Sequence, residues 1–220
     1  MKTPVSLMVI AMTATPLMLL AVKSHAAQFS YDYLEGSYSQ SEIEFGNPNI
    51  EDTDFKGYRL SGSFSLSENL VVGGSFGTGE ATTRANFNAN TTGSLDISST
   101  GPSLFVLYHD SLNAQAEYLV GVQAGQLEIE AETDNNVAID QLSSDETLKE
   151  VFAGVRFHLN ESLELEGRIE YDLDADDGED EISYGIEARL NVASNTQVGV
   201  RFEPDDDGDT LTVSLRQNFP

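Results

Sequence analysis

The chain has 220 residues with 37 acidic and 11 basic side chains, a net charge of −26, no Cys and no Trp. Such a balance repels nucleic acid and anionic membrane surfaces and attracts divalent cations, so no nucleic-acid partner is expected. The absence of Cys excludes disulfides and a lipid-modified Cys at the start of a mature chain.

Residues 1–26 read as a secretory signal peptide. Lys2 gives the positive start and Leu7 to Val22 the apolar stretch. Ser24-His25-Ala26 forms a small-x-small cleavage signal, with the cut expected between Ala26 and Ala27. Pro4, Pro16 and several Thr argue against a spanning helix there. Removing this segment takes away Lys2 and Lys23 and no acid, so the mature charge becomes −28. Residues 27–220 are expected to form one domain. No later apolar run reaches the ~18 residues of a spanning helix.

Residues 27–220 alternate apolar and polar side chains at every second position, the period of a strand with two different faces. Ten strands are expected, near 29–43, 55–66, 69–79, 97–108, 114–127, 147–159, 163–174, 182–192, 197–203 and 209–219, with eight as the alternative. Strand one is expected to shift parity at a bulge near Tyr33. Strand two presents Tyr58, Leu60, Phe64 and Leu66 on one face. Strand three presents Leu70, Val72 and Phe76, and strand five Tyr118, Val120 and Val122. Strand four is less regular, because Phe105 and Leu107 fall on the opposite face. Strands six to ten resume the pattern, most clearly in LELEGRIEYDLD (163–174). Short connections are expected at 65–70, 108–113, 159–162 and 193–196, and long acidic ones near 44–54, 79–97, 130–146, 175–181 and 204–209.

An even number of ~10-residue antiparallel strands, with tight turns at one end and long loops at the other, meets the demands of a transmembrane up-and-down β-barrel. In lipid no sheet edge can stay open, so the sheet must close. Tyr31, Tyr33, Phe64, Tyr108, Tyr118, Phe157 and Phe219 would form an aromatic girdle at the tight-turn end. Tyr58, Phe76, Tyr171, Tyr184 and Phe202 would form the other. The lumen would hold Glu35, Arg59, Glu117, Arg156, Glu164, Glu166, Arg168, Glu170, Glu187, Arg189, Arg201 and Arg216. At ten strands such side chains largely fill the interior, and unlike charges must pair there. A plugged structural barrel is therefore expected ahead of a narrow passive pore.

The whole of 27–220 resembles the small outer-membrane β-barrel proteins of Gram-negative bacteria. The likeness rests on Tyr31-Asp32-Tyr33-Leu34-Glu35-Gly36-Ser37-Tyr38, on NLVVGGSFG (69–77), EVFAGVRFHLNESLELEG (150–167) and SYGIEARLNVASNTQVGVRF (183–202). It implies an outer-membrane location, insertion by the barrel-assembly machinery, and contact with membrane lipid and lipopolysaccharide. Chains of this kind usually end on an aromatic residue, whereas here Pro220 follows Phe219.

Enzymes among such barrels carry His with Asp or Ser at the outer rim. The two histidines of 27–220, His109 and His158, sit instead beside tight turns, and are expected to be solvated. No catalytic site and no cofactor are expected. The acidic tracts fail as calcium loops. Glu203, Asp205, Asp207 and Gly208 begin an EF-hand pattern whose twelfth position is Ser214. Asp172, Asp174 and Asp176 are followed by Asp177 where Gly is needed. At most, Asp172, Asp174, Asp176, Asp205 and Asp207 would gather divalent cations loosely at the loop rim. The expected role is structural or adhesive at the cell surface, with cations bridging to lipopolysaccharide.

Overall fold

A computed structural model of the protein describes residues 29–43, 49–88, 91–133, 142–173, 182–204 and 208–219. They form ten strands: β1 (Tyr33–Ile43), β2 (Thr53–Ser65), β3 (Leu70–Asn88), β4 (Thr91–Asn113), β5 (Ala116–Thr133), β6 (Leu142–His158), β7 (Leu163–Asp172), β8 (Ile182–Ala193), β9 (Thr196–Glu203) and β10 (Thr210–Asn218). Each pairs antiparallel with its sequence neighbours. β1 joins β10 from Tyr33↔Asn218 to Ser41↔Thr210, which closes the barrel and leaves no edge in the band that lipid would surround. The expected ten-stranded barrel is the observed one.

Tight turns follow from local chemistry. Between β6 and β7, Asn160 Oδ1 accepts hydrogen bonds from the Ser162 and Leu163 amides, at 2.8 and 3.0 Å. Between β4 and β5, Asn113 Oδ1 accepts from the Gln115 amide at 2.8 Å. That turn is shorter than expected. The stretch 108–113 is not a connection but the end of β4, irregular between Ser111 and Asn113.

Two further expectations are corrected. β1 runs through Tyr33 with unbroken register against β2 and β10, so it has no bulge there. Tyr31 and Tyr33 consequently face inward with Glu35, not into a girdle. Register shifts lie instead at Asn86/Asn88, Ser111/Asn113 and Asn191/Ala193. The second correction concerns length. Much of 79–97 and 130–146, expected as loops, is strand: β3 and β4 pair from Leu70↔Tyr108 to Asn88↔Thr91, and β5 and β6 up to Ala131↔Leu142.

The extension is hidden in the sequence because its alternation changes sign. On β5 the outward side chains are Tyr118, Val120, Val122 and Ala124, then Gln126, Glu128, Glu130 and Glu132. The inward ones change the other way, from Glu117 and Gln123 to Leu127, Ile129 and Ala131. β3, β4 and β6 repeat the outward change, the last outward apolar residues being Phe76, Pro102 and Val151. Beyond them come Glu80 and Thr82, Thr100 and Ser98, and Lys149 and Thr147. An outward face is apolar only where its solvent is lipid, so this level marks the outer limit of the apolar band. Within the band Leu60, Phe76, Leu104, Val122, Ile169, Ile186, Val200 and Leu215 are all exposed on the outside.

Arg substituted at Val120, midway along the apolar face of β5, should destabilise the barrel by about 2–4 kcal/mol, as expected near mid-bilayer. Arg at Glu130, on the same face ten residues on, should be close to neutral. Urea midpoints in lipid vesicles, read from heat-modifiable gel mobility, would check both.

Candidate functional site

The lumen is built from alternate residues of all ten strands, and strand register sets which charges meet. Glu117, Arg156, Glu166, Glu187 and Arg201 lie side by side on β5 to β9 in a continuous row. The adjoining row carries His158, Glu164, Arg189 and Gly199, and continues through Ser214, Ser37 and Arg59 to Gly77.

Glu166 is the node of this network. Its Oε2 lies 2.9 Å from Arg156 Nη2 and 3.0 Å from Arg189 Nη1, and its Oε1 is 2.8 Å from Arg168 Nη2. Arg156 also reaches Glu164 at 3.3 Å and Glu117 at 3.5 Å. Arg189 holds Glu164 at 2.9 Å and Glu187 at 2.5 Å. Toward the outer mouth Glu170 lies 3.0 Å from Arg201 and 3.5 Å from Arg168, and Arg201 also holds Glu203 at 2.8 Å. Arg216 pairs with Glu35 across the seam at 2.7 Å. Arg59 lines the lumenal cavity opposite Ser37 and acts on Glu150 through space, with no ion pair among the described residues. Asp172 lies on the lumenal side opposite Glu150 in the β6–β7 register. Ala26, Ala27, Asp174, Asp176, Asp205 and Asp207 lie outside the described residues.

The opposite half of the lumen is richer in hydroxyls. Ser37, Ser61, Ser63, Ser75, Thr212 and Ser214, from β10 and β1 to β3, line one side of a cavity of ≈ 140 Å³ with Glu35, Arg59 and Arg216, and the ion-pair network, Glu187 and Arg189 among it, lines the other. Ser75 and Ser103 hydroxyls meet at 2.8 Å, while the buried Ser214 hydroxyl has no hydrogen-bond partner among the described residues. Charge patterning does not reveal this hydroxyl wall. Its signal in the sequence is the inward serines of GSYSQS and LSGSFS.

At the tight-turn end the lumen is stoppered by the segment preceding β1. Tyr31 packs with Val71, Leu107, Leu119 and Phe152 in a buried apolar layer, against which Phe29 and Phe105 also rest. Glycines make room for it: a Cβ at Gly121 would collide with the Phe152 ring, and one at Gly73 with Phe105. Phe29 stacks on His158 at 3.8 Å and Tyr31 on His109 at 4.0 Å. The Arg156 guanidinium lies over the Phe29 and Tyr31 rings, 5.4 and 4.7 Å from their centroids. Tyr31 donates its hydroxyl to Glu117, and His109 Nδ1 is 3.3 Å from the same carboxylate. The histidines, expected to be solvated, are thus half-buried parts of the stopper on either side of β5. Alternation puts them on the inward face, but nothing in their own sequence neighbourhood signals Phe29 or Tyr31 as partners.

The glycine of the EF-hand-like tract also has a structural reason. Gly208 has φ = 147°, and a Cβ there would strike the Glu42 carbonyl oxygen. Glu203 of the same tract is held by Arg201.

With this geometry in place, comparison with known proteins fixes the family. The family model for the outer membrane protein β-barrel domain matches residues 12–209. The chain belongs to that family. Its outer-membrane location follows, as does a membrane-lipid environment for the apolar band. Among solved structures, the chain is similar to the translocator domain of the autotransporter NalP from Neisseria meningitidis. The TM-score is 0.55 at 10% identity, over 88% of this chain and 90% of that one. It is also similar to the transport unit of the autotransporter AIDA-I from Escherichia coli, at TM-score 0.53 and 9% identity, over 91% and 93%. At these identities the likeness is one of fold alone. No curated protein matches the chain in sequence.

Removing one partner from a buried ion pair leaves a charge stranded at a cost of about 3–5 kcal/mol. Glu166→Gln, which deprives three arginines at once, should therefore lower stability by at least that amount. Glu203→Gln at the open rim should cost no more than about 1 kcal/mol. Denaturant midpoints of the two purified variants would show the difference.

Proposed function

We propose that this family member is a sealed outer-membrane barrel whose role is structural and surface-interactive, not catalytic or conductive. The observation that carries this reading is the filling of its interior. Buried Glu–Arg pairs occupy one half, and the Phe29–Tyr31 layer closes the tight-turn end. A channel of one sign would attract and pass ions, whereas neutralised pairs hold each other in place and leave no continuous charged path.

The outer part supports the interactive side of the reading. Outer-membrane barrels keep short turns in the periplasm and long connections outside the cell. The extended parts of β3 to β6 therefore project from the surface, with Glu80, Asp96, Glu128, Glu130 and Glu132 turned outward. Divalent cations held among such carboxylates would bridge to lipopolysaccharide phosphates. The chain reaches its membrane by signal-directed export, with residues 1–26 removed, and by the barrel-assembly machinery. Catalysis has little support, because both histidines of 27–220 are engaged in the stopper at the periplasmic end. The second reading is a narrow passive pore, favoured by the hydroxyl-lined cavity beside Arg59.

Planar-bilayer recording of the purified protein separates the two. The sealed barrel predicts no steady unitary current for the wild type. Tyr31→Ala combined with Phe29→Ala should raise the frequency of openings. Steady currents from the wild type would establish the pore instead.

A further inference from the structure

The outward face carries a gap in a row of large apolar side chains. Gly36 stands on β1 directly opposite Leu215 of β10 and Leu60 of β2, and the row runs on to Val198 of β9 and Phe76 of β3. These residues line a groove of ≈ 640 Å³ together with Gly36. By strand alternation it opens on the lipid side.

Packing within the protein does not demand this glycine. A Cβ at Gly73 or Gly121 would strike a neighbouring ring, whereas one at Gly36 would meet nothing within 4 Å beyond the adjoining residues. Glycine costs a strand conformational entropy and offers lipid no side chain, and within a strand it often marks a close approach to the backbone by a ligand.

The groove is also polarised along the membrane normal. One pair outward of Gly36 and Leu60, Tyr38 and Tyr58 stand opposite each other with ring centroids 5.3 Å apart. Tyr58 faces Thr78, at the level where β3 passes beyond Phe76 and the apolar band ends. Tyrosine hydroxyls meet lipid headgroups at that depth. Two residues further on β2, about 7 Å along the strand, Lys56 is turned outward and exposed. Glu42, Asp54 and Glu80 stand around it on the same face.

We propose that this groove seats one molecule of the phosphorylated lipid of the outer leaflet, lipopolysaccharide, with an acyl chain over Gly36 and a phosphate at Lys56. Two observations choose the occupant. Apolar floor, hydroxyl pair and ammonium follow one another in the order of chain, headgroup and phosphate of a lipid in that leaflet. The carboxylates beside the ammonium accept a second phosphate oxygen through divalent cations, whose preferred ligands are oxygens of both kinds. A second copy of the chain is a poor occupant, because it would bring these carboxylates against their own counterparts. The inference rests on the surface-interactive reading and gives its lipid a seat.

The test is native mass spectrometry of the folded protein in detergent micelles with magnesium, titrated with a diphosphorylated deep-rough lipopolysaccharide. One retained molecule per barrel is expected. Gly36→Leu fills the gap and should weaken retention at least tenfold. Gly167→Leu fills an equally open outward position on β7 and should leave retention unchanged. Removing the lipid phosphates, or Lys56→Gln, should weaken it at least threefold. All variants should keep heat-modifiable gel mobility. Absence of retained lipid would overturn the proposal, as would equal losses from the two glycine variants, which mean ordinary annular lipid. A dimer lost with Gly36→Leu would overturn it by making a second copy the occupant. Undiminished retention of the dephosphorylated lipid would overturn it too, since the chain alone then suffices. Should Gly36→Leu fail to fold, the dephosphorylated lipid decides on the wild type. Failure here leaves the sealed barrel standing, because conductance does not depend on this outer groove.

Discussion

Charge inside a lumen walled by lipid must be neutralised where it stands. Everything else in this barrel is arranged around that requirement. Strand alternation sends one face to lipid and therefore sends every second residue of GRIEYD or GIEARL inward, whatever its charge. Register then decides whether the inward charges meet. Here Glu166 comes to rest between Arg156, Arg168 and Arg189, and the next carboxylates outward and inward share the same guanidiniums. A shift of one strand by a single residue would turn these charges into the bilayer and the apolar ridge into the lumen. The ion pairs thus act as a register lock as much as an adhesive, with lipid enforcing the penalty for slippage.

The same solvent logic explains the outer projection. β3 to β6 keep their hydrogen-bond ladders after the apolar band ends, but their outward faces turn polar, and on β5 the two faces change places. Ile97, Ile129 and Ala131 turn to the inner side and glutamates to the outer. Water outside and partial shelter inside reproduce the ordinary pattern of a soluble sheet. One continuous strand therefore carries two patterns of opposite sign, each correct for its own medium.

That reversal also sets how far the structure is legible from the sequence. Period two is strong in β2 and β7 to β10, and with the alternation of short and long connections it leads to ten strands and a closed barrel. The inward set of charges follows from parity alone. Where an outward apolar face is the criterion, the strands are cut short at 79 and 127, although the alternation itself continues. Tyr31 and Tyr33 are misplaced by pattern because an aromatic near a strand start fits either a girdle or a stopper. The register of β1 against β2 and, across the two ends of the chain, against β10 distinguishes them. The histidines are misjudged for a related reason: their partners Phe29 and Tyr31 lie roughly eighty to one hundred and thirty residues away along the chain, as the numbering shows. Ser37, Ser61, Ser75 and Ser214 escape notice because small hydroxyls carry little pattern of their own, and their meaning comes from the cavity they share.

The most direct test of the lumenal lock is a double-mutant cycle between Glu166 and Arg156, using Glu166→Gln, Arg156→Met and the combined variant, with unfolding followed in lipid vesicles. If the pair is held as a unit, removing both partners should be less damaging than the sum of the single losses, with a coupling of about 2 kcal/mol or more. Losses that add to within about 0.5 kcal/mol would mean that the two residues act independently, and that the charges of the lumen do not hold the barrel in register.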